Sequence, residues 1–335
     1  MSKEALFWKK YEDKTEKTVK CHLCPRNCII RNGKRGNCGV RENQNGKLYS
    51  LVYAKPISVS LDPIEKKPLY HFLPGQETVS FGTAGCNLHC LYCQNWEISQ
   101  CKPEIVKNKV LPAEIIKKCK EVKSRIISYT YTDPIVFYEY MLETAELAKK
   151  SFLKNVMVSN GFINQEPLKK LIPLIDAANI DLKGNDEYYR KITGAWLSPV
   201  LETLKELKKR KVWIEVTNLV VPTLNDSEKD FKWISEWIAD NLGKDVPLHF
   251  SAFWPTYKLT NLPATSLQIL KKAREIAMKK LSYVYTGNVE FDEGNNTYCP
   301  KCRKAVIKRS GFHVTENLLK DGKCPCGEKI AGVWK

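Results

Sequence analysis

Apolar and polar positions along the chain switch between two periods. Between residues 79 and 285, short runs rich in apolar residues alternate with stretches where apolar residues recur every three or four positions. The runs are Val79-Ser-Phe81, Arg125-Ile-Ile-Ser-Tyr129, Val156-Met-Val158, Ala177-Ala-Asn-Ile-Asp181, Val212 to Val221, Val246-Pro-Leu-His-Phe250 and Ser282-Tyr-Val-Tyr285. Such runs read as buried strands. Between them the spacing predicts helices opening at Leu111-Pro112, after Pro134, from Pro167 to Ile175, near 198–210 and 226–241, and after Thr265. In the second of these Phe137, Met141, Ala145 and Ala148 share a face; in the last, Leu267, Leu270, Ala273 and Ala277 do.

Strand–helix alternation of this length predicts a parallel sheet joined by right-handed crossovers. Six or seven units are too few for a closed eightfold barrel. The expected fold is therefore α/β, a partial (β/α)6-7 TIM-type barrel, with its active site in the loops after the strands. Unusual polar residues do cluster at strand ends: Tyr129-Thr-Tyr-Thr-Asp133-Pro134, Ser159-Asn160-Gly161, Asp181-Leu-Lys183-Gly184, then Glu215, Thr217 and Asn218, then His249, Ser251 and Trp254. Glu215 is the least expected, because a carboxylate inside a Val/Ile/Trp run is costly to bury without a partner. It is expected to meet a cofactor or substrate; the competing reading is an interior ion pair with Lys183 or another cation.

The two ends do not follow this pattern. The expected organisation is a Cys-rich N-terminal module at residues 1–50, the barrel at 51–290 and a small zinc-ribbon-like C-terminal module at 291–335. Residues 1–20 read as a charged amphipathic lead-in with Leu6, Phe7 and Tyr11 as one apolar stripe. Residues 47–83 add short extended runs, Leu48 to Tyr53 among them.

Composition adds three constraints. At 335 residues and 43% apolar, the chain can bury a large core with appendages. No segment approaches 18 uninterrupted apolar residues, and the first 20 residues lack the apolar run of a secretion signal, so a cytoplasmic protein with no membrane partner is expected. Thirteen cysteines in such a chain point to metal, not disulfides. The formal charge of +17 is concentrated at the ends: residues 1–50 hold 12 Lys/Arg against 5 Asp/Glu, and residues 297–335 hold 9 against 3. Arg31, Lys34 and Arg35 with Lys301, Arg303, Lys308 and Arg309 are candidates for RNA phosphate contacts. A solvated surface that contacts nothing is the plain alternative.

Most of the cysteines fall into three groups. Cys21-His-Leu-Cys24-Pro-Arg-Asn-Cys28 with Cys38, set among Gly33, Gly36 and Gly39, is expected to close a four-thiolate metal knot. Spacing does not separate zinc from an iron–sulfur cluster there. Cys299-x2-Cys302 and Cys324-Pro-Cys326 favour a zinc site, with Cys-x-Cys in place of the usual Cys-x2-Cys. Cys119 reads as a small buried hydrophobe, and Cys101 has no assigned role. The third group is Cys86-x3-Cys90-x2-Cys93, with Tyr92 just before the last thiol. Three thiolates can hold three irons of a four-iron cluster and leave the fourth open. A zinc loop would instead need His89 as its fourth ligand.

That third spacing resembles the signature of the radical S-adenosylmethionine (SAM) superfamily. The resemblance implies a [4Fe-4S] cluster whose open iron is chelated by the amino and carboxylate groups of SAM. It also implies one-electron cleavage of SAM to methionine and a 5′-deoxyadenosyl radical, which abstracts a hydrogen atom. Further motifs are Cys21 to Cys28, Gly36-Asn-Cys-Gly-Val-Arg41, Cys93-Gln-Asn-Trp-Glu-Ile-Ser99, Tyr129 to Pro134, Asp181-Leu-Lys183 and Asn296-Thr-Tyr-Cys-Pro300. Together they resemble the radical SAM enzyme of the AmmeMemoRadiSam system, itself similar to pyruvate formate-lyase-activating enzymes.

By that resemblance Tyr92 and Gln94 would lie by the adenine. Thr132-Asp133-Pro134 would replace the Gly-Gly-Glu segment that meets the SAM amino group, with Asp133 one methylene shorter than the usual Glu. Asp181 and Lys183 match an Asp-x-Lys at the SAM site, and Asn160, Glu215 and His249 are candidate cofactor contacts from neighbouring strands. Partners implied are an electron donor of ferredoxin or flavodoxin type and proteins of the Memo or AMMECR type. The substrate stays open: a backbone glycine of a partner enzyme, RNA on the basic flanks, or a small molecule or partner of the same system. From a different class, a non-catalytic iron–sulfur and zinc nucleic-acid-binding protein is the alternative; the polar strand ends argue against it.

Overall fold

The computed structural model describes residues 3–12 and 17–335. Its centre is an eight-stranded sheet whose spatial order follows the chain. The strands are β1 (Pro56–Pro63), β2 (Glu77–Thr83), β3 (Ile126–Tyr129), β4 (Lys154–Ser159), β5 (Ala177–Asp181), β6 (Trp213–Val220), β7 (Leu248–Ala252) and β8 (Val284–Gly287). β1 and β2 form an antiparallel hairpin, and β2 through β8 run parallel. Six helices of seven or more residues lie in the crossovers among the described residues: α1 (Pro112–Glu121), α2 (Tyr138–Lys150), α3 (Gln165–Leu171), α4 (Ser198–Lys209), α5 (Glu228–Asn241) and α6 (Leu267–Ala277).

Right-handed crossovers that always step to the next strand place the helices on one face and bend the sheet around the other. Residues following β2 and β8 line one cavity, so the sheet does curl; β1 and β8 remain its two ends. This is the expected partial barrel. The apolar runs have a simple cause, since every residue of β3 and β7 is buried. Each helix buries one stripe: α1 turns Ile115, Ile116 and Cys119 inward, and Phe137, Met141, Ala145 and Ala148 are all buried as their spacing predicts.

β1 was not legible as a strand. It has proline at both ends and leaves Val59 and Leu61 exposed, which only an edge strand tolerates. The lead-in also differs from its expected stripe. Trp8–Lys10 is a strand paired with Val19–Cys21, and Phe7 sets its ring edge-on to Tyr138 at 5.3 Å. Tyr11, the third member of the stripe, is 40% exposed.

The two ends attach differently. The N-terminal residues form two small antiparallel sheets whose Val19, Leu23, Ile30, Val40 and Leu48 belong to the same core as the barrel. The C-terminal sheet, β9 (Thr297–Tyr298), β10 (Ala305–Ser310) and β11 (His313–Asn317), shares a second, small core with the barrel side, where Val306 and Ile330 meet Tyr70, Tyr283 and Tyr285. Arg309, expected on a basic surface, is fully buried there instead. It donates to the carbonyls of Tyr70 (2.7 Å) and Asn295 (3.1 Å) and pairs with Glu65 at 3.4 Å. No helix of the described residues is long and apolar enough to cross a membrane.

Candidate functional site

The C-terminal ends of the seven parallel strands surround a cleft of about 650 Å³. After β2 the chain enters the cysteine loop through Gly85, whose φ is +92°. A Cβ there would stand 2.5 Å from Val40 Cγ1 and 2.8 Å from the Cys38 carbonyl oxygen, so only glycine lets the loop lie against the N-terminal knot. The loop is then pinned by His89 N and Leu91 N, which donate to the carbonyls of Thr193 and Ile192 at 3.0 Å each.

Cys86, Cys90 and Cys93 all line the cleft. The Leu88 amide donates to Cys86 Sγ at 3.4 Å, and Ser99 Oγ lies 3.3 Å from Cys93 Sγ. Burial pushes the Cys86 thiol well above its usual range, and the nearby Asp133 carboxylate adds to this. Burial takes Cys90 up to about 11, against the pull of the Lys183 ammonium. His89 is no fourth ligand: its Nδ1 meets Gln100 Oε1 at 3.0 Å and its Nε2 meets Asn37 Oδ1 at 2.8 Å.

Opposite the loop stands Asp133, which caps the turn leading into α2 by accepting from the Ile135 amide at 3.0 Å. It also accepts from Ser159 Oγ at 3.1–3.2 Å and from the Asn160 amide at 2.7 Å. Burial nonetheless raises its carboxyl to about 6, because these donors offset only part of the desolvation and Asp181 adds a like charge. Asn160 extends its side chain to Asn87 Oδ1 at 2.8 Å, beside Cys86. From β5, Lys183 Nζ donates to Asp181 Oδ2 at 2.8 Å and lies 5.9 Å from the centre of the Tyr92 ring. Tyr92 is buried in the wall, and Gln94 is exposed at the rim.

Glu215 is the correction. It is completely buried, yet it does not face the cleft. It accepts from the amides of Tyr70 (3.0 Å) and His71 (2.7 Å), Trp213 Nε1 (3.1 Å) and His249 Nε2 (2.7 Å). Burial alone would raise its carboxyl, but the imidazole of His249 and these donors hold it below the usual carboxylate range. Its donors fix the segment before β2 to the sheet, and its side-chain partner is the imidazole of His249, not Lys183. His249 therefore reaches the cleft wall with one ring nitrogen already engaged.

Three cleft residues have no role assigned from sequence: Ser159 and Thr217, which mark strand ends, and Lys67, which no pattern singles out. Ser159 holds Asp133. Lys67 is 2% exposed and tied to Asp62 at 2.7 Å. Thr217 had been noted but given no role; its buried hydroxyl has no partner. A polar residue inside the β6 apolar run was the available signal.

The flanking cysteines are also brought together. Cys299, Cys302, Cys324 and Cys326 have all their sulfurs within 4.8 Å of one another, a four-thiolate metal site. Cys21, Cys24, Cys28 and Cys38 line one cavity. Cys119 is buried in α1, and Cys101 lies 3.3 Å from the Ile98 carbonyl.

Residues 81–237 match the family model of the Radical SAM superfamily. An uncharacterized protein of Methanocaldococcus jannaschii is 48% identical over 333 residues, covering 98% of both chains. The pyruvate formate-lyase-activating enzyme of Clostridium pasteurianum is 24% identical over 178 residues, 49% of this chain and 70% of that enzyme. Among solved structures, S-adenosylmethionine-bound SuiB of Streptococcus suis aligns with a TM-score of 0.51 at 13% identity, over 68% of this chain and 53% of that one. A radical SAM methyltransferase from Sphaerobacter thermophilus aligns with a TM-score of 0.51 at 12% identity, over 65% and 68%. These two structural matches speak for the fold alone.

Proposed function

The chain belongs to the radical SAM superfamily, and on that premise we propose that it is an oxidoreductase in which Cys86, Cys90 and Cys93 hold a [4Fe-4S] cluster. SAM would share the cleft with that cluster, and the enzyme would abstract a hydrogen atom from a substrate entering there. When bound, the two groups supply one-electron cleavage of SAM to methionine and a 5′-deoxyadenosyl radical. The observation that carries this reading is that three thiols of one loop and the charged ends of β3 and β5 open on the same cleft.

The residues present fit those groups. No side chain competes as a fourth ligand in the loop, and the Thr217 hydroxyl is a buried donor without a partner in the cleft wall. Asp133, its carboxyl raised to about 6 by burial, would receive the SAM ammonium. Asp181 and Lys183 offer one acceptor and one cation to the remaining polar groups, and Tyr92 with Gln94 would flank the adenine. Reconstituted anaerobically and reduced with dithionite, the protein is expected to release 5′-deoxyadenosine from SAM. A Cys86→Ala/Cys90→Ala/Cys93→Ala variant should release none; if it did, this assignment fails.

For the substrate, activation of a partner enzyme at a backbone glycine is supported by relatives named as activating enzymes. The RNA reading loses part of its basis, because Arg309 is buried with Glu65, Arg35 pairs with Glu42 and Glu104, and Lys308 pairs with Glu316. An electron donor of ferredoxin or flavodoxin type would supply the single electron, and partners of Memo or AMMECR type follow from the resemblance. Zinc is the ion that best suits the C-terminal thiols. All thirteen cysteines are free, which fits a reducing cytoplasmic setting.

A further inference from the structure

Two side chains of the cleft wall each carry a hydrogen-bonding atom with no partner among the described residues. Thr217 and His249 are register partners on the neighbouring parallel strands β6 and β7, and both line the cleft. Side chains so paired leave the sheet on the same face, about 5 Å apart. Thr217 is 8% exposed, and its Oγ1 is a buried hydroxyl without a partner. His249 is 3% exposed; its Nε2 is engaged by Glu215, and its Nδ1 is bonded to nothing. Burying a hydroxyl unpaired is costly, so one in a cleft wall points to a bound partner.

The surroundings of His249 decide which of its nitrogens carries the proton. Glu215 is held below the usual carboxylate range and is an acceptor. Its other partners, the amides of Tyr70 and His71 and Nε1 of Trp213, are all donors. His249 therefore donates from Nε2, which leaves Nδ1 of the neutral imidazole as an acceptor. Tyr285 stacks on the ring at 5.0 Å and Tyr70 meets it edge-on at 4.8 Å, which holds its plane.

The cleft thus presents an acceptor, His249 Nδ1, beside a hydroxyl donor, Thr217 Oγ1. An extended backbone residue offers the complement, because its own N–H and C=O point the same way. The row continues across the sheet: Asp181 on β5 is the other register partner of Thr217 and lines the same cleft. We propose that Thr217 and His249 read the substrate, binding the C=O and the N–H of one extended backbone residue, with Glu215 as the positioning residue that fixes the imidazole. This rests on the hydrogen-abstraction reading of the cleft. It gives the partner's glycine a seat, with its Cα–H between the two bonded groups and one strand from Asp181.

The test uses full-length holoenzyme, SAM and dithionite, with a pool of short peptides random except for a central dideuterated glycine. Abstraction moves one deuterium atom from the glycine Cα to the 5′ carbon and leaves the unpaired electron on the glycine. The readout is the deuterated fraction of the 5′-deoxyadenosine released, which corrects for any change in SAM cleavage itself. Wild-type protein should transfer deuterium. A matched pool with N-methylglycine, which lacks the N–H, should transfer about tenfold less. Thr217→Val should lower transfer from the glycine pool about tenfold, and Thr217→Ser, which keeps the hydroxyl, should restore it. Equal transfer from the two pools would overturn the proposal, as would an unchanged fraction in Thr217→Val or 5′-deoxyadenosine without deuterium in wild-type protein. Should Thr217→Val fail to fold, the two pools on wild-type protein decide. Absence of 5′-deoxyadenosine altogether would sink the cleft reading, and this proposal with it. The tautomer is read without turnover, in oxidised holoenzyme with isotope-labelled histidine. Proton–nitrogen correlations that vanish in His249→Gln should show an Nε2–H ring; an Nδ1–H ring or an imidazolium would overturn the proposal.

Discussion

The two cysteine modules show that the same ligand can be embedded in opposite ways. The N-terminal knot is continuous with the barrel: Leu23, Ile30 and Val40 pack in the main core, and buried Arg41 pairs with Glu139 of α2. The C-terminal module packs Val306 and Ile330 into a small cluster with Tyr70, Tyr283 and Tyr285 of the barrel side, apart from the main core, and is also fastened by polar anchors. Arg309 reaches Glu65 and the Tyr70 carbonyl, while His71 holds the Ala331 carbonyl on one ring nitrogen and the Tyr285 hydroxyl on the other. A module that shares the main core should unfold with it. One that keeps a small core beside a metal should open alone.

Metal removal should give the largest effect. Zinc bound to small folding units contributes on the order of 10 kcal/mol, more than three short strands can replace. Chelation, or Cys299→Ser, is expected to expose residues 297–335 to protease while circular dichroism of the barrel is unchanged. A tail that stays resistant after complete metal removal would erase the contrast between the modules.

Next is the ion pair that joins the knot to the barrel. Arg41→Leu leaves Glu139 buried and unpaired, at about 3–5 kcal/mol. The loss should appear as a lower midpoint of the main denaturant transition. A separate early transition confined to the knot would mean that the shared core does not couple them.

The smallest effect concerns acid. His71 falls from 6.5 to about 4, chiefly through burial, with Arg309 and His249 adding to the depression and Glu215 opposing it. Between those two values the unfolded chain binds the extra proton, so stability present above pH 6.5 declines as the pH falls and levels off near 4. At pH 5 the loss is about 2 kcal/mol. Because His71 anchors the C-terminal residues, protease sensitivity of that module should rise at pH 5 before the barrel unfolds. Equal acid sensitivity of both modules would count against the polar-anchor account.

What the sequence made legible followed local rules. The strands from Val79 to Tyr285 and the helices between them announce themselves through period and length, and the C-terminal strand ends follow from the fold. The cysteine loop is local too, within eight positions from Cys86 to Cys93. What stayed hidden depends on distant partners. Glu215 was rightly singled out as anomalous, but its donors on Tyr70 and His71 lie about 145 residues away. Arg309 counts as surface charge until Glu65, 244 positions earlier, is seen beside it. The spacing of the N-terminal quartet does not separate zinc from an iron–sulfur cluster.

The Arg41–Glu139 pair also has a consequence for how the chain is made. Synthesis delivers Arg41 98 residues ahead of Glu139, and a guanidinium without its counter-charge resists burial. The buried pair therefore forms only once α2 has emerged from synthesis.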